Sequence, residues 1–394
     1  MQRLPPAADA VIIGGGCMGA SVAYHLARLG VTRSVLLERE TALGTGSTGR
    51  NAGGVRHQFS SEANVRLSIE SIRLIRRFAE EVGGDVDFHQ HGYLFLLDTP
   101  ESVARFETQA LMQRRLGVPT ELLSPAEAAG LAPGLNTDGI LAASFCAEDG
   151  IADPHGVTQG FASAARRMGV EIRCGVEATG IDVERGRVAA VRTTAGTIAA
   201  PVVVNAAGPH AGRIGAMAGL DVPVTPQRRH IFIAEPAERG AWDRPPLPVP
   251  ASRILVIDVA TTFYFHREGA GVLFGMADPE ERAGFDLTVN WPVLERIYDV
   301  ALRRLPALGD AGIAHAWAGL YEMSPDGMPF IGSDPRLPGF YLIAGFSGHG
   351  FQHSPAAGRI LADIIAGRDP GLDVGPFAIE RLERAAATGE RNVI

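Results

Sequence analysis

At 394 residues the chain is longer than one hydrophobic core ordinarily organises, which predicts two intimate domains. A hydrophobic share of 46% with 20% charged residues excludes a disordered chain, and a net charge of −8 argues against a general nucleic-acid surface. All 36 basic residues are arginine, which rules out a lysine Schiff base, a pyridoxal-phosphate lysine and a P-loop lysine.

The segment "MQRLPPAADAVIIGGG" passes straight into a strand, without the apolar run and cleavage site of a signal peptide. No window approaches the ~18 uninterrupted apolar residues of a membrane span. Cys17, Cys146 and Cys174 lie far apart and form no C-x-x-C pair, which fits a reducing compartment and neither a disulfide framework nor a zinc site. The expectation is a cytoplasmic protein without a resident metal.

"DAVIIGGGCMGASVAYHLARLGVTRSVLLER" reads as strand, glycine turn, helix and strand. Gly14, Gly16 and Gly19 fit G-x-G-x-x-G: the first for a tight turn, the second for approach of a pyrophosphate, the third for helix–strand packing. Val22, Leu26 and Leu29 recur at helical spacing, and Gly30 stands where a helix end favours glycine. Glu38 closes the second strand about 20 residues on, where an acid accepts hydrogen bonds from an adenosine ribose. Together these predict a dinucleotide site but do not separate FAD from NAD.

"GTGSTGRNAGGVRHQF" follows, a run of permissive backbone positions with Arg50 and Arg56 among them, suited to an anion or a ligand with several polar edges. Ser60 or Ser61 is placed to cap the next helix, with Val65, Ile69 and Ile72 on its core face. "GVEIRCGVEATGIDVERGRVAAVRTTAGTI" reads as a β-meander turning at Arg185-Gly186. A buried strand at Val202–Val204 then leads into Asn205-Ala206-Ala207-Gly208, small enough to approach the first nucleotide loop closely. Near the C-terminus, "GFYLIAGFSGHGFQHSPAAGRILADIIAG" predicts a strand, a glycine-rich loop and a helix capped by Ser354, with Pro355 its first residue. Such a helix start suits the anion that develops at N1–C2=O of a reduced flavin.

Five ordered segments, "VIIGGGCMG", "STGRNAGGVRHQF", "VVVNAAGPHAG", "WAGLYEMSPDGMPFIG" and "GFSGHGFQHSPAAG", carry a resemblance that runs nearly end to end. The chain resembles the D-amino-acid oxidase-like FAD oxidoreductases, and within them the sarcosine oxidase and proline dehydrogenase β-subunit group. The resemblance implies an α/β fold with an α+β second domain: a discontinuous Rossmann-like FAD domain (1–82, 148–218 and 330–394) and a substrate domain (83–147 and 219–329) whose mixed sheet roofs the flavin. "DFHQHGYLFLL", "QRRHIFIAE" and "TFYFHREGAGVLFGM" are candidate roof strands.

The implied chemistry is hydride transfer from a carbon next to nitrogen to flavin N5, giving an imine that water hydrolyses. Arg56 matches a carboxylate-binding arginine of that group, and a guanidinium fork suits a carboxylate. Tyr264 and His266 alternate with Phe263 and Phe265, so they share a strand face from which they could bind substrate or assist amine deprotonation. Tyr321 and Glu322 fall in a segment that neighbours the flavin in relatives. Ser47, Thr48, Arg50 and Asn51 would face the pyrophosphate and flavin ring. The resemblance also sets Arg39, Ala52, Gly53, Val176, Ala207, Gly208, Gly319, Gly345, Gly348, His349, Gly350, Phe351 and Gln352 against the cofactor.

Covalent relatives attach flavin through a cysteine near residues 315–330, and none stands there, so the FAD is expected to be noncovalent. Oxidase relatives hold a lysine over the flavin, where Leu273 aligns here, and sarcosine oxidases place another where Gln352 stands. Their absence predicts a dehydrogenase, or a poor oxidase, passing electrons to an acceptor other than oxygen, from a secondary amino acid of proline or N-methylglycine type. The β-subunit resemblance adds partner subunits of a heteromeric complex. Two alternatives stay open: a D-amino-acid or glycine oxidase acting on a primary amine, and a non-catalytic FAD-binding assembly factor. The pairs His89/His91 and His349/His353 lack further ligands and predict no metal site.

Overall fold

The computed structural model describes residues 3–236, 249–383 and 389–393. Ala10–Ile13 is apolar and fully buried, as a central parallel strand must be when both faces are covered. It pairs in parallel with Ser34–Glu38 on one side and Val203–Asn205 on the other. The full six-stranded order is Phe330–Ser333, Phe340–Ala344, Val203–Asn205, Ala10–Ile13, Ser34–Glu38, Glu171–Cys174, antiparallel only at the first pair. The chain therefore leaves Ala10–Ile13 to one side and returns to the other much later. Such a reversal opens a crevice at the strand ends, where α/β sheets bind their ligands.

Cys17–Arg28 crosses Gly350–Ile365 and Pro154–Arg167 on one face of this sheet. The first crossing is close because Gly358 lies against Ser21, where a Cβ would overlap the serine hydroxyl. The predicted meander is present as Ala178–Glu184, Arg187–Thr193 and Gly196–Ala199, and its first turn holds Arg185 at φ +50° and Gly186 at φ +73°.

The second sheet has eight strands, ordered Ala311–Met323, Thr225–Pro236, Gly271–Met276, Tyr264–Glu268, Leu255–Asp258, Tyr93–Leu97, Ala142–Cys146, Glu121–Leu123. Only Leu255–Asp258 and Tyr93–Leu97 run parallel, so the sheet is mixed. Phe232, Phe263, Phe265 and Phe274 pack from its outer face against Val293 and Ile297 of the helix Trp291–Arg304. Its inner face is left to look across at the parallel sheet.

The C-terminal helix corrects one expectation. It begins at Gly350 with His349 at the cap, five residues before the predicted Ser354 cap, and Pro355 lies inside it. Proline removes the amide that would bond the Phe351 carbonyl. Ser354 repairs the gap, its Oγ donating to that carbonyl at 2.8 Å. At the other predicted cap, Ser61 holds the cap position but makes no cap bond; its hydroxyl goes to Glu390.

Candidate active site

Between the two sheets lies a cavity of about 590 Å³, within the ~300–1,000 Å³ usual for small-molecule sites. Its floor is the glycine turn after Ala10–Ile13. A Cβ on Gly14 would overlap the Ala206 carbonyl, and one on Gly19 would overlap the Gly14 carbonyl. At neither helix start that meets the cavity does the cap residue, Gly16 or His349, make a side-chain cap bond; only the Cys17 amide is met, by Thr48. Two sets of backbone amides with partial positive charge thus converge on one space. Glu38 stands at the edge, accepting from the Gly15 amide at 2.7 Å and the Glu40 amide at 2.8 Å.

One wall is the glycine-rich loop, pinned to the roof strand Ala311–Met323. Ser47 Oγ donates to the Leu320 carbonyl at 2.6 Å, Arg50 to Ala318 at 2.9 Å, and Trp317 Nε1 to the Arg50 carbonyl at 3.0 Å. Thr48 Oγ1 accepts from the Cys17 amide at 3.2 Å, and Asn51 closes its own loop onto Thr48 and Gly53. The polar atoms of Ser47 and Arg50 therefore fix the wall in place.

Arg56 is buried at the inner end, 5% exposed. Its guanidinium lies 3.8 Å over the Phe59 ring and donates to the Gln58 and Asn392 carbonyls, while the residue still lines the cavity. Gln352 grips its backbone from both sides, accepting from the amide at 3.0 Å and donating to the carbonyl at 3.1 Å.

Behind Gln352 runs a buried chain whose proton positions follow from its ends. His349 Nε2 faces the Gly327 carbonyl at 3.1 Å and must donate, so its Nδ1 accepts from His353 Nδ1 at 3.2 Å. His353 Nε2 then accepts from Ser68 Oγ at 2.8 Å and from Gln352 Nε2 at 3.1 Å. Burial keeps both imidazoles neutral, pushing His349 down to about 4 and His353 well below its ordinary value.

Two acids bracket this end. Glu390 accepts from the amides and hydroxyls of Ser60 and Ser61 and from Asn64, a cap supplied by the far C-terminal segment. Glu322 lines the cavity and accepts from the Gly345 amide at 3.2 Å; burial outweighs that bond and lifts its carboxyl to about 7.

The roof brings Tyr93, Tyr264, Tyr321 and Arg229 onto the cavity. Tyr321 packs on Gly348, which sits at φ +97° with no room for a Cβ. Among the residues expected at the site, all line the cavity except Gly19, Gly53, Gly345 and His266. A Cβ on Gly19 would meet the Gly14 carbonyl, one on Gly53 the Ala152 carbonyl and one on Gly345 the Phe330 ring.

His266 requires a correction. It shares the Tyr264 face but lies one step beyond the cavity, 1% exposed, with Nδ1 at 2.8 Å from the Arg267 carbonyl. Leu273, its cross-strand partner, is likewise buried outside the lining; beside Tyr264 the inner face carries Gly275. Conversely, Arg229 and Tyr93 were not singled out in the sequence. Each lies in a stretch read only as roof strand, and nothing local separates cavity-facing Arg229 from Arg228, which pairs outward with Glu281 and Asp286. His57, Cys146 and Asp149 also meet, although Asp149 is engaged by the His57 amide, His57 Nδ1 and Gln58.

A family model described as FAD dependent oxidoreductase matches residues 9–364. The chain belongs to that family. FAD fits the residues present: two open helix starts, a glycine turn that admits no side chain, and an acid at the adenosine end. Relatives include mitochondrial sarcosine dehydrogenase of Mus musculus, 31% identical across 98% of this chain, and mitochondrial dimethylglycine dehydrogenase of Rattus norvegicus, 33% identical across 95%. The chain spans 42% and 45% of those two proteins, less than half of each. Among solved structures, the L-proline dehydrogenase from P. horikoshii superposes with a TM-score of 0.87 at 35% identity, covering 97% of this chain and 99% of that one. Among the described residues of this family member, no helix is long and apolar enough to cross a membrane.

Proposed function

We propose that this chain oxidises the C–N bond of a secondary amino acid, of the kind named for its dehydrogenase relatives, to an imine that water then hydrolyses. The observation that carries this reading is the inner end of the cavity, where Arg56 and three phenols meet the uncapped start of Gly350–Ile365. Bound FAD supplies the two-electron acceptor. The protein's share is to hold the substrate carboxylate with Arg56 and the phenols, to keep His349 and His353 neutral, and to set the Gly350 amides beneath developing negative charge.

The chain has no lysine to assist oxygen, and the cavity face of its roof presents Tyr264, whose cross-strand neighbour is Gly275. We therefore assign a dehydrogenase whose electrons leave to a carrier or a partner subunit. The cofactor is assigned as noncovalent because residues 315–330 hold no cysteine. Three free cysteines support a cytoplasmic setting.

Anaerobic flavin bleaching over a panel of secondary and primary amino acids tests the assignment. Bleaching by secondary amines with slow reoxidation in air is expected. Preference for primary amines, or rapid reoxidation, would favour an oxidase of that class. A protein that retains FAD yet is reduced by no amine would point to the assembly role. Acid precipitation should release the flavin into solution.

A further inference from the structure

The inner pocket is rich in hydrogen-bond donors and poor in acceptors. Tyr93, Tyr264 and Tyr321 all line it, and among the described residues no hydroxyl of the three has a protein partner. Burial raises all three phenols, so each keeps its proton to donate. Arg229 enters from Thr225–Pro236, its guanidinium 5.0 Å from the centre of the Tyr321 ring.

No carboxylate among the described residues pairs with Arg229. It donates to the Arg228 carbonyl at 3.1 Å and to Gln227 Oε1 at 3.3 Å, and its Nε is buried without a partner among the described residues. A buried guanidinium N–H left open is costly unless something fills it. Tyr321 lies within the field of both Arg229 and Arg56, so one pocket is served by two cations. Arg229 also acts on Tyr264, its neighbour on the roof. Glu322, the acid on this part of the lining, points its carboxylate at Gly345.

We propose that Arg229 binds a second carboxylate of the substrate, so that the preferred substrates are secondary amines carrying a carboxylate on each side of the nitrogen. This rests on the proposed amine oxidation. Arg56 holds the carboxylate of the amino-acid half, and Arg229, with Tyr264 and Tyr321, holds the acid on the N-substituent. A planar fork on each side fixes the reacting C–N bond between two anchors.

The test compares N-(2-carboxyethyl)glycine with N-butylglycine, and N-(3-carboxypropyl)glycine with N-pentylglycine, pairs of matched length that differ in one carboxylate. Anaerobic flavin reduction by the holoenzyme should favour each acid over its neutral mate by at least ~30-fold in kcat/KM, carried by KM. In Arg229→Gln that ratio should fall to about one, and Arg229→Lys should restore part of it. Equal rates within each pair, or an unchanged ratio in Arg229→Gln, overturns the proposal. So does a uniform loss of kcat on all substrates, which would place Arg229 on the cofactor.

Should no amine reduce the flavin, the amine-oxidation reading fails on its own. The Arg229 assignment is then read from flavin absorbance on titrating glutarate against pentanoate. Tighter glutarate binding that is lost in Arg229→Gln supports it, and equal binding refutes it.

Discussion

Glutamine in place of Glu322 removes the acid of the inner cavity while keeping its shape and its acceptor for the Gly345 amide. Burial lifts this carboxyl from the ordinary 4.5 to about 7, against the pull of the Gly345 and Phe346 amides. The folded protein therefore holds a proton that the unfolded chain releases. The stability this provides is complete below pH 4.5 and is lost as pH rises to about 7. Taken in full, the difference corresponds to roughly 3 kcal/mol. Part of the Glu322 surface opens onto the cavity, where water screens it, so about 1–2 kcal/mol is the expected size in FAD-free protein. Urea unfolding of the FAD-free wild type and of Glu322→Gln, each at pH 5.0 and 8.5, reads it directly. The wild type should lose that much more stability than the variant across the interval. Bound FAD expels the water, so the gap should widen when the cavity is filled. Parallel pH dependence in the two proteins would refute the reasoning, because no other group differs between them.

Ser354→Ala should cost about 1 kcal/mol in urea unfolding, since it leaves the Phe351 carbonyl without a donor beside Pro355. In a Pro355→Ala background the restored amide takes that carbonyl, and the Ser354 cost should vanish, a coupling that a double-mutant cycle measures. Gly348→Ala meets both a φ of +97° and the Tyr321 ring; purified protein should carry little flavin, seen in its 450-to-280 nm absorbance ratio. His349→Asn should flatten the acid limb of Tm against pH. The depressed imidazole contributes stability present above pH 6.5 and lost as pH falls toward about 4, and asparagine does not titrate. Arg56→Ala removes the donors to Gln58 and Asn392, so hydrogen exchange should rise across residues 389–393 and stability should drop by roughly 2–4 kcal/mol.

The nucleotide half was legible because its chemistry is local. A turn whose backbone leaves no room for a Cβ must be written with glycine at Gly14 and Gly19, whatever happens elsewhere. The roof was legible as strands but not as a surface. Tyr264 and His266 alternate identically, and only the extent of the cavity, set by packing, decides that one faces it and the other does not. Arg228 and Arg229 are adjacent and alike, yet opposite strand faces give them opposite roles. Pro355 misled because a proline near a helix start ordinarily marks its first turn, and the hydroxyl that permits it inside the helix looks like a cap. Arg56 was found by its motif, but its hold on Asn392 joins residues with no local relation.

Glu390 completes the helix start at Ser60 from 330 positions further along the chain. At a synthesis rate of about 5–20 residues per second, that contact waits roughly 15–65 s after Ser60 is made. Arg56 waits slightly longer for Asn392, across 336 positions. During that interval a nascent chain can have its glycine turn in place but not the clasp at the inner end of the cavity. Maturation should therefore proceed from the adenosine end inward, with the pocket for the reacting molecule set last.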